Sequence, residues 1–304
     1  MTDKIIIVKF EQSPGKFIQM KDKIVLISGA NSGIGKATAI ALAKTGAQIV
    51  MQCRSLERGE AARLEIIKES GNSNVDLMLC DLSSHDSIRK FNEEFRQKYQ
   101  HIDVLINNAG GIFGKKEMTS DNLEYTLGLN HMGYFLNTHY LIDLVKAGEM
   151  KRIVNVSSLA HKFVMRLDWD NLQGEKSYGQ LYQYGLSKLF NIHFTKELAR
   201  RYQADGITVN CLHPGTVNTG FGNSGSSFFK KLVELGRRFL TPADKGAATS
   251  VFLASAPEVK NISGEYFSNK KITSISKIAK NDEYARKIWD KSLEWGKIES
   301  FGVK

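Results

Sequence analysis

A tyrosine and a lysine stand four positions apart, at Tyr184 and Lys188, in a stretch whose pattern predicts a helix. Residues at this spacing project from the same helix face, so an ammonium group would lie beside a phenol. A nearby cation favours the phenolate, and lowering a phenol pKa from about 10 to about 7 takes roughly 4 kcal/mol. The tyrosine would then serve as a general acid/base at neutral pH. The spacing alone is a weak signal, because a solvated lysine beside a half-buried tyrosine gives the same pattern.

A glycine-rich loop, SGANSGIG at residues 28–35, follows a continuous apolar run and precedes a helical pattern. Glycines permit the tight turn and the close backbone approach that a pyrophosphate needs, and a helix N-terminus offers free N–H groups. A lone loop of this kind is often only a turn, but the strand–loop–helix context favours a dinucleotide site.

The end of the second predicted strand indicates which dinucleotide binds. A site for NAD usually has an acidic residue about 20 residues after the glycine loop. Here Cys53 and Arg54 occupy that place, with Arg58 close behind. A guanidinium matches a 2′-phosphate, which a carboxylate repels. The sequence therefore predicts NADP(H) as the cofactor; the alternative is that Arg54 is a solvated surface residue.

Alternating strand and helix patterns position these groups. Continuous apolar strands separated by amphipathic helices indicate a parallel sheet covered on both faces. We predict an α/β fold, a single-domain Rossmann-type doubly wound parallel sheet of about seven strands with helices on both faces. The predicted strands are 24–28, 48–53, 76–80, 104–107, 152–157, 208–213 and 264–267. The predicted helices are roughly 35–45, 57–71, 86–99, 120–147, 183–204 and 242–255.

The chain of 304 residues is expected to have three parts. Residues 1–20 are interpreted as an N-terminal extension, 21–269 as an NADP-binding catalytic domain, and 270–304 as a charged, peripheral helical extension. Within the domain, Gly/Ser hinges and an amphipathic segment at about 221–241 predict a lid over the substrate. Its apolar side chains favour a lipophilic substrate, the alternative being an ordinary surface helix that packs on the core. They are Phe228, Phe229, Leu232 and Leu235.

Composition and charge narrow the classes of function. The chain is 42% hydrophobic and 24% charged, as globular domains are. It has no apolar run of about 18 residues and no signal-peptide pattern, so we expect no transmembrane segment and a cytoplasmic location. Three widely spaced cysteines and seven unclustered histidines predict no disulfide framework and no metal site. The net charge of +10 is scattered and no nucleic-acid motif accompanies it, so no nucleic-acid partner is expected.

Seven motifs, in order over residues 21–256, resemble the short-chain dehydrogenase/reductase family. They are the glycine loop, Asp81-Leu82-Ser83, Asn107-Asn108-Ala109-Gly110, Asn130, Ser157-Ser158, Tyr184-x-x-x-Lys188 and His213-Pro214-Gly215-Thr216-Val217-x-Thr219. Cys-Arg after the second strand and the stretches NVSSLAH (155–161) and NLQGEK (171–176) resemble its retinol dehydrogenase and WW-domain oxidoreductase branch. Ser28 stands where the family usually has threonine, which keeps a hydroxyl.

The resemblance implies hydride transfer between NADP(H) and a carbonyl or alcohol, with four catalytic residues. Tyr184 would donate the proton, and Lys188 would lower its pKa and bind the nicotinamide ribose. Ser158 would hydrogen-bond the substrate oxygen, and Asn130 would hold a water molecule that relays protons. Strand alternation also favours Ser158 over Ser157, because neighbouring side chains point to opposite faces.

The resemblance also implies the residues that bind the cofactor. Asp81 and Leu82 would hold the adenine edge, although Asp81 could instead be a turn or cap residue. Pro214 and its neighbours would hold the nicotinamide carboxamide; the alternative is that Pro214 and Gly215 only shape the loop after the strand. The full set is Gly29, Asn31, Ser32, Gly33, Ile34, Gly35, Arg54, Asp81, Leu82, Asn108, Ala109, Gly110, Tyr184, Lys188, Pro214, Gly215, Val217 and Thr219.

Two further expectations concern partners and alternatives. By analogy with the family, we expect a homodimer or homotetramer that pairs through the helices at 120–147 and 183–204, acting on a small molecule. The alternative class is a non-catalytic, NADP(H)-binding regulatory or scaffold protein, which the presence of all four catalytic residue types disfavours. His131 and His161 flank these positions, and we expect them to have packing or surface roles.

Overall fold

The structure is a computed structural model that describes residues 19–215 and 242–302. Within these residues, eight strands form one sheet. They are β1 (Ile24–Ser28), β2 (Gln48–Cys53), β3 (Val75–Leu79), β4 (Val104–Asn107), β5 (Arg152–Val156), β6 (Thr208–His213), β7 (Tyr266–Ser268) and β8 (Lys271–Ile272). Their spatial order is β3-β2-β1-β4-β5-β6-β7-β8. All neighbouring pairs are parallel except β7 and β8.

Helices cover both faces of the sheet. The helices are α1 (Gly33–Ala43), α2 (Leu56–Ser70), α3 (His85–Lys98), α4 (Tyr125–Leu127), α5 (Gly133–Ala147), α6 (Gln180–Arg201), α7 (Ala243–Ser255) and α8 (Asp282–Gly296). Along β1, Val25 and Ile27 face the apolar core shared with α1, α2 and α7, whereas Leu26 faces the core shared with α3, α5 and α6. The central strand is thus buried on both sides, which explains its continuous apolar sequence.

The predicted fold class is confirmed: the sheet is doubly wound and dominated by parallel strands. Four predicted strands have the observed bounds, and the others shift by one or two residues. The additional strand is β8, two exposed residues that pair antiparallel with β7. Two exposed residues give no apolar run, so β8 has no signal in the sequence.

The helical pattern predicted at roughly 120–147 is helical from Tyr125 to Ala147, but it begins five residues later than predicted and contains a π-helical segment. The segment begins with an isolated bridge between Met118 and Glu124, and the short α4 follows. A π-helical segment, residues 128–132, then joins α4 to α5. Glu124 caps α4 by accepting hydrogen bonds from the backbone of Thr126 and Leu127, each at 2.9 Å. The wide π turn brings Asn130 within hydrogen-bonding distance of the loop after β4, in keeping with the frequent place of such turns at functional sites.

The C-terminal segment is not peripheral, which corrects the sequence-based expectation for 270–304. α8 packs against α6, and its Ile288 and Trp289 are buried. Farther along, Phe301 lies 4.6 Å from Trp289 and 4.9 Å from Phe135 between ring centroids. The amphipathic pattern of α8 therefore reflects burial on one face rather than a solvated appendage.

Several predicted features lie outside the described residues. These are the lid at 221–241, Val217, Thr219 and most of the N-terminal extension. Met20, the last residue of that extension, is fully buried in the core beside α1 and β2. Among residues 19–215 and 242–302, no helix combines the length and apolar character that crossing a membrane requires.

Candidate active site

The carboxyl ends of the parallel strands gather the predicted site residues at one edge of the sheet. The residues that follow β1, β4, β5 and β6 are Gly29, Asn108, Ser157 and Pro214. The sheet order places β1 next to β4, where the direction of winding reverses. Ligands of open α/β sheets bind in the crevice at such a switch point.

The glycine-rich loop has the backbone geometry of a phosphate cradle. Gly29 and Gly33 have φ angles of +69° and +54°, in the left-handed region that favours glycine. A Cβ on Gly35 would overlap the carbonyl oxygen of Gly29, so the turn requires glycine there too. Ser32 at the start of α1 makes no side-chain cap hydrogen bond, and the first turn has no acidic residue. The N–H groups of α1 therefore suit a pyrophosphate. Two other predicted contacts in this loop are partly exposed: Asn31 and Ile34.

Ser28 and Asn108 join the glycine loop to the end of β4. The Ser28 hydroxyl accepts hydrogen bonds from the backbone N–H groups of Asn108, at 2.9 Å, and Ala109, at 3.1 Å. In return the Asn108 amide donates to the Ser28 carbonyl at 2.8 Å. The Asn108 side chain thus connects the glycine loop to the segment after β4. Ala109 and Gly110 in that segment are partly exposed and line the cleft between the two.

Arg54 directly follows β2 and contacts two groups. Its Nη1 donates to the Tyr125 hydroxyl at 2.8 Å and lies 3.8 Å from the Asp81 carboxylate. The Arg54 side chain is 56% exposed, which leaves donors free for a ligand. Asp81 also accepts from the backbone and hydroxyl of Ser83, so it has the turn role as well. The Leu82 side chain is buried in the core, and only its backbone can face a ligand.

Tyr184, Ser158 and Lys188 come together at the carboxyl end of β5. Tyr184 and Lys188 lie on α6, and the Lys188 Nζ is 5.8 Å from the centroid of the Tyr184 ring. Nζ donates to the Val156 carbonyl at 3.0 Å, which anchors it at the end of β5. Ser158 hydrogen-bonds Tyr184, and its Oγ accepts from the Ala160 backbone at 3.1 Å. A carbonyl oxygen placed between Tyr184 and Ser158 would meet two hydroxyl donors.

The two serines after β5 have different surroundings. The Ser157 hydroxyl donates to the Lys188 carbonyl at 2.8 Å and is buried between β5 and α6. Ser158 is partly exposed and faces Tyr184. The structure therefore places Ser158, and not Ser157, beside the predicted proton donor.

Burial sets the proton states of the tyrosine and the lysine. It raises the pKa of Tyr184 to about 12, against the opposing effect of the Ser158 hydrogen bond. Burial also lowers the pKa of Lys188 to about 7. In the chain alone, burial disfavours the phenolate and leaves the lysine only partly charged at neutral pH. Tyr184 is thus a proton donor in the chain itself. The lowered tyrosine pKa expected from the sequence depends on Lys188 together with a bound, positively charged nicotinamide, and it stays a prediction.

Asn130 fixes the loop after β4. Its Oδ1 accepts from the Gly111 backbone at 2.8 Å, and its Nδ2 donates to the Gly111 carbonyl at 2.9 Å and to the Ser187 hydroxyl at 3.0 Å. Both amide protons are committed to the protein. A Cβ on the neighbouring Gly110 would lie 2.9 Å from Oδ1 and 3.3 Å from the Lys188 Nζ, so only glycine fits between them. The proton relay through Asn130 stays a prediction.

Sequence reasoning missed Asn191. Its amide donates to the Asn130 carbonyl at 3.0 Å and to the Val156 carbonyl at 3.4 Å, the same oxygen that receives Lys188. Asn191 stands seven residues after Tyr184, two helical turns along one face. That spacing is the signal that could have identified it.

The remaining predicted positions have simpler environments. Pro214 and Gly215 are partly exposed after β6, and Gly215 has a left-handed φ of +89°. Cys53, Cys80 and Cys211 are free and buried. Across 19–215 and 242–302, no three His, Cys, Asp or Glu side chains are arranged to hold a metal ion.

Comparison with known proteins decides the family. Residues 23–227, more than half of the chain, match the model of the short chain dehydrogenase family. The chain belongs to the short-chain dehydrogenases. Human retinol dehydrogenase 11 is 42% identical over 277 residues, which cover 91% of this chain and 86% of the relative. Human retinol dehydrogenase 12 is 40% identical and covers 91% and 87%.

Solved structures support the same fold for this short-chain dehydrogenase. An uncharacterized protein from Mycobacterium paratuberculosis is 29% identical, with a TM-score of 0.76 over 95% of this chain and 98% of that one. Levodione reductase, at 23% identity and a TM-score of 0.64 over 81% and 95%, shares the fold. The prediction of the family and of its retinol dehydrogenase branch is confirmed. The short-chain dehydrogenase is therefore an oxidoreductase of CH–OH and C=O groups that uses a nicotinamide cofactor.

Proposed function

We propose that this short-chain dehydrogenase transfers hydride between NADP(H) and a lipophilic aldehyde, ketone or alcohol, such as a retinoid-like molecule. The observation that carries the proposal is the contact between Ser158 and Tyr184, with Lys188 one helical turn after Tyr184, at the sheet edge that also carries a loop shaped for a pyrophosphate. A non-catalytic protein of the same fold has no need of two converging hydroxyl donors.

The chain's own residues manage one proton and one developing charge. A bound nicotinamide supplies or accepts the hydride. In reduction, Tyr184 donates its proton to the substrate oxygen as negative charge grows there. The Ser158 Oγ accepts from the Ala160 backbone, which leaves its own proton available for that same oxygen. The Lys188 Nζ is fixed on the Val156 carbonyl beside the phenol. In its ammonium form it stabilises the anion that Tyr184 becomes.

The surroundings of Arg54 support the preference for a 2′-phosphate. Its guanidinium is oriented by the Tyr125 hydroxyl at 2.8 Å and is still largely exposed. The Asp81 carboxylate is 3.8 Å from the Arg54 Nη1, so the two side chains do not form a close bidentate ion pair. A phosphate would offer this guanidinium a stronger charge-assisted partner than either neighbour.

Exposed apolar side chains next to Ser158 support a lipophilic substrate. Leu159, Phe163 and Met165 are 42%, 65% and 85% exposed, on and just after the turn that Ser158 begins. Retinol dehydrogenases 11 and 12 are named for a lipophilic alcohol, and the chain is about 40% identical to them. An apolar substrate would cover these side chains on binding, which is favourable in water.

One experiment tests cofactor and substrate class together. Absorbance at 340 nm would be followed with NADPH or NADH and a panel of aldehydes and ketones graded by size and polarity. We expect turnover with NADPH, a higher kcat/KM for bulky apolar carbonyls, and a preference for NADPH that falls at least ten-fold in Arg54→Asp. Lys68→Asp makes the same charge change at an exposed site near the C-terminus of α2, away from the cleft, and serves as the control. No turnover with any carbonyl, or a preference unchanged in Arg54→Asp, would contradict the proposal.

A further inference from the structure

Two buried histidines hold the peptide group that follows Ser158. The carbonyl of Ser158 accepts a hydrogen bond from the His161 Nδ1 at 2.7 Å. The N–H of Leu159, the other polar end of the same peptide group, donates to the His213 Nδ1 at 3.4 Å. His161 lies in the turn after β5 and His213 is the last residue of β6. Both polar atoms of one peptide are therefore bound by imidazoles from two elements.

The hydrogen bonds define opposite tautomers for the two rings. A carbonyl only accepts, so the His161 Nδ1 must bear a proton, and its Nε2 accepts from the Ser276 backbone at 3.3 Å. The His213 Nδ1 accepts from a backbone N–H, so the proton of that ring is on Nε2. Burial lowers the pKa of both histidines, that of His213 to about 4, so both rings are neutral at pH 7.

The backbone ladder of the sheet ends before this peptide, and besides the His161 ring the Ser158 carbonyl accepts, among the residues that the structure describes, only the longer backbone hydrogen bond of the turn, from the His161 N–H at 3.3 Å. β5 ends at Val156, and the last regular contact is the Ser157 backbone N–H donating to Leu212 at 2.8 Å. Ser158 itself is extended, with φ −159° and ψ 156°, and a 3₁₀ turn starts at the next residue. The two imidazole contacts fix the orientation of this peptide and therefore the ψ angle of Ser158, which limits how far the chain at Ser158 can shift relative to Tyr184.

We propose that His161 and His213 are positioning residues that clamp the peptide after Ser158 and so hold its hydroxyl toward Tyr184. The inference rests on the proposed function, in which Ser158 binds the substrate oxygen. Through Ser276, the clamp also connects the C-terminal part of the chain to the serine, since His161 is fully buried between them. Neither imidazole exchanges a proton with the substrate.

Paired substitutions separate positioning from packing. His161→Leu and His213→Leu remove the hydrogen bonds but keep much of the apolar bulk, whereas His161→Asn can donate and His213→Asn can accept near the original Nδ1. We expect each leucine variant to lower kcat about ten-fold, the loss that one net hydrogen bond of about 1.4 kcal/mol represents. Each asparagine variant should recover to within about three-fold of the wild type, and the Kd for NADPH should change less than two-fold in all four.

His193 provides the matched control. It is fully buried on α6, and neither ring nitrogen has a hydrogen-bond partner among residues 19–215 and 242–302. His193→Leu should therefore leave kcat unchanged. Leucine variants at 161 and 213 that retain wild-type kcat would overturn the clamp. A loss of kcat and NADPH binding together, without rescue by asparagine, would also overturn it and leave only a structural role.

A second measurement does not depend on turnover. Long-range ¹H–¹⁵N spectra of the histidine rings at pH 7 report the tautomer of each imidazole, with the two leucine variants assigning the signals. We expect His161 with its proton on Nδ1 and His213 with its proton on Nε2. A charged ring, or the opposite tautomer at either position, would exclude the clamp even if the enzyme is active. If the wild-type protein shows the expected tautomers but no turnover, the proposed function is wrong, whereas the two histidine hydrogen bonds are confirmed.

Discussion

At the scale of single residues, burial decides the chemistry of the site. The same environment raises the pKa of Tyr184 to about 12 and lowers that of Lys188 to about 7. A protonated phenol beside a partly neutral amine is ready to give up a proton to a carbonyl oxygen. Making the phenolate requires further positive charge, which a bound oxidised nicotinamide would add.

The burial of Lys188 predicts a pH-dependent change in stability. Its pKa is about 7 in the folded chain against an ordinary value of 10.5, so the unfolded chain binds more protons between these pH values. Burial of Lys188 therefore costs stability below pH 7, and this cost disappears as the pH rises toward 10.5. Lys188→Met should raise the free energy of unfolding by about 2 kcal/mol at pH 6.5 and by much less at pH 9.5, while turnover is lost.

Urea denaturation of Lys188→Met and wild type at both pH values measures this effect. Lys68→Met, at an exposed lysine, is the control and should change little at either pH. An equal effect of Lys188→Met at pH 6.5 and 9.5 would show that its pKa is not lowered by burial.

The site was predictable from sequence to the extent that it depends on spacing. Tyr184 and Lys188 follow from their separation on a helix, whereas Ser158 follows from the family pattern, because β5 ends at Val156 and strand alternation does not reach either serine. The burial that raises the Tyr184 pKa in the chain alone was not predictable, because it depends on how the folded chain encloses the ring. The roles of His161 and His213 were also hidden, since they come from two elements that only the sheet order brings together.

At the scale of elements, the close approach of α6 to the turn after β5 sets the distance between Tyr184 and Ser158. A Cβ on Gly185 would lie 2.6 Å from the Ala160 carbonyl oxygen, closer than real Cβ atoms come. The absence of a side chain at Gly185 lets the helix and the Leu159–Phe163 turn touch directly. The residue after the proton donor thus controls the site through packing.

Gly185→Ala should separate these two elements and lower kcat by about 100-fold, the loss that a misplacement of about 1 Å can cause. NADPH binding, followed by fluorescence, should change little because the glycine loop is untouched. Gly179→Ala, at the N-cap of the same helix, is the control, since the nearest atom to its Cβ is 3.7 Å away. Unchanged kcat in Gly185→Ala would mean that this contact does not position Tyr184.

Helices and strands with strong apolar periodicity were predictable almost to the residue. The failures have physical causes. The π segment at 128–132 satisfies tertiary hydrogen bonds of Asn130 that no local pattern encodes. The strand β8 is too short and too exposed to show a period.

At the scale of the whole molecule, the C-terminal segment completes the core. Trp289 packs edge-on against Phe135 at 5.2 Å and carries the Arg201 guanidinium over its ring at 4.4 Å. α8 and Phe301 therefore cover outer parts of α5 and α6. Homo-oligomerisation through these two helices stays a prediction, and a pair would have to use the surface that α8 leaves uncovered. Light scattering coupled to gel filtration measures the state directly.

Trp289→Ala should lower the free energy of unfolding by about 3–5 kcal/mol, because it removes a large side chain that is 2% exposed. Leu64→Ala, at a leucine that is 60% exposed on α2, should change it by less than about 0.5 kcal/mol. Guanidinium chloride denaturation compares the two variants. A Trp289→Ala chain as stable as wild type would show that α8 is a detachable extension after all.

The most direct test of the proton donor is turnover and NADPH binding measured together in Tyr184→Phe, which removes one hydroxyl and keeps the ring. Tyr182→Phe is the matched control. Tyr182 lies two residues before Tyr184, and its hydroxyl donates to the Arg166 carbonyl at 3.1 Å. We predict that Tyr184→Phe binds NADPH with a Kd within two-fold of wild type and loses at least 1,000-fold in kcat, while Tyr182→Phe keeps its activity. Turnover of Tyr184→Phe within ten-fold of wild type would contradict the assignment of Tyr184 as the group that gives its proton to the substrate.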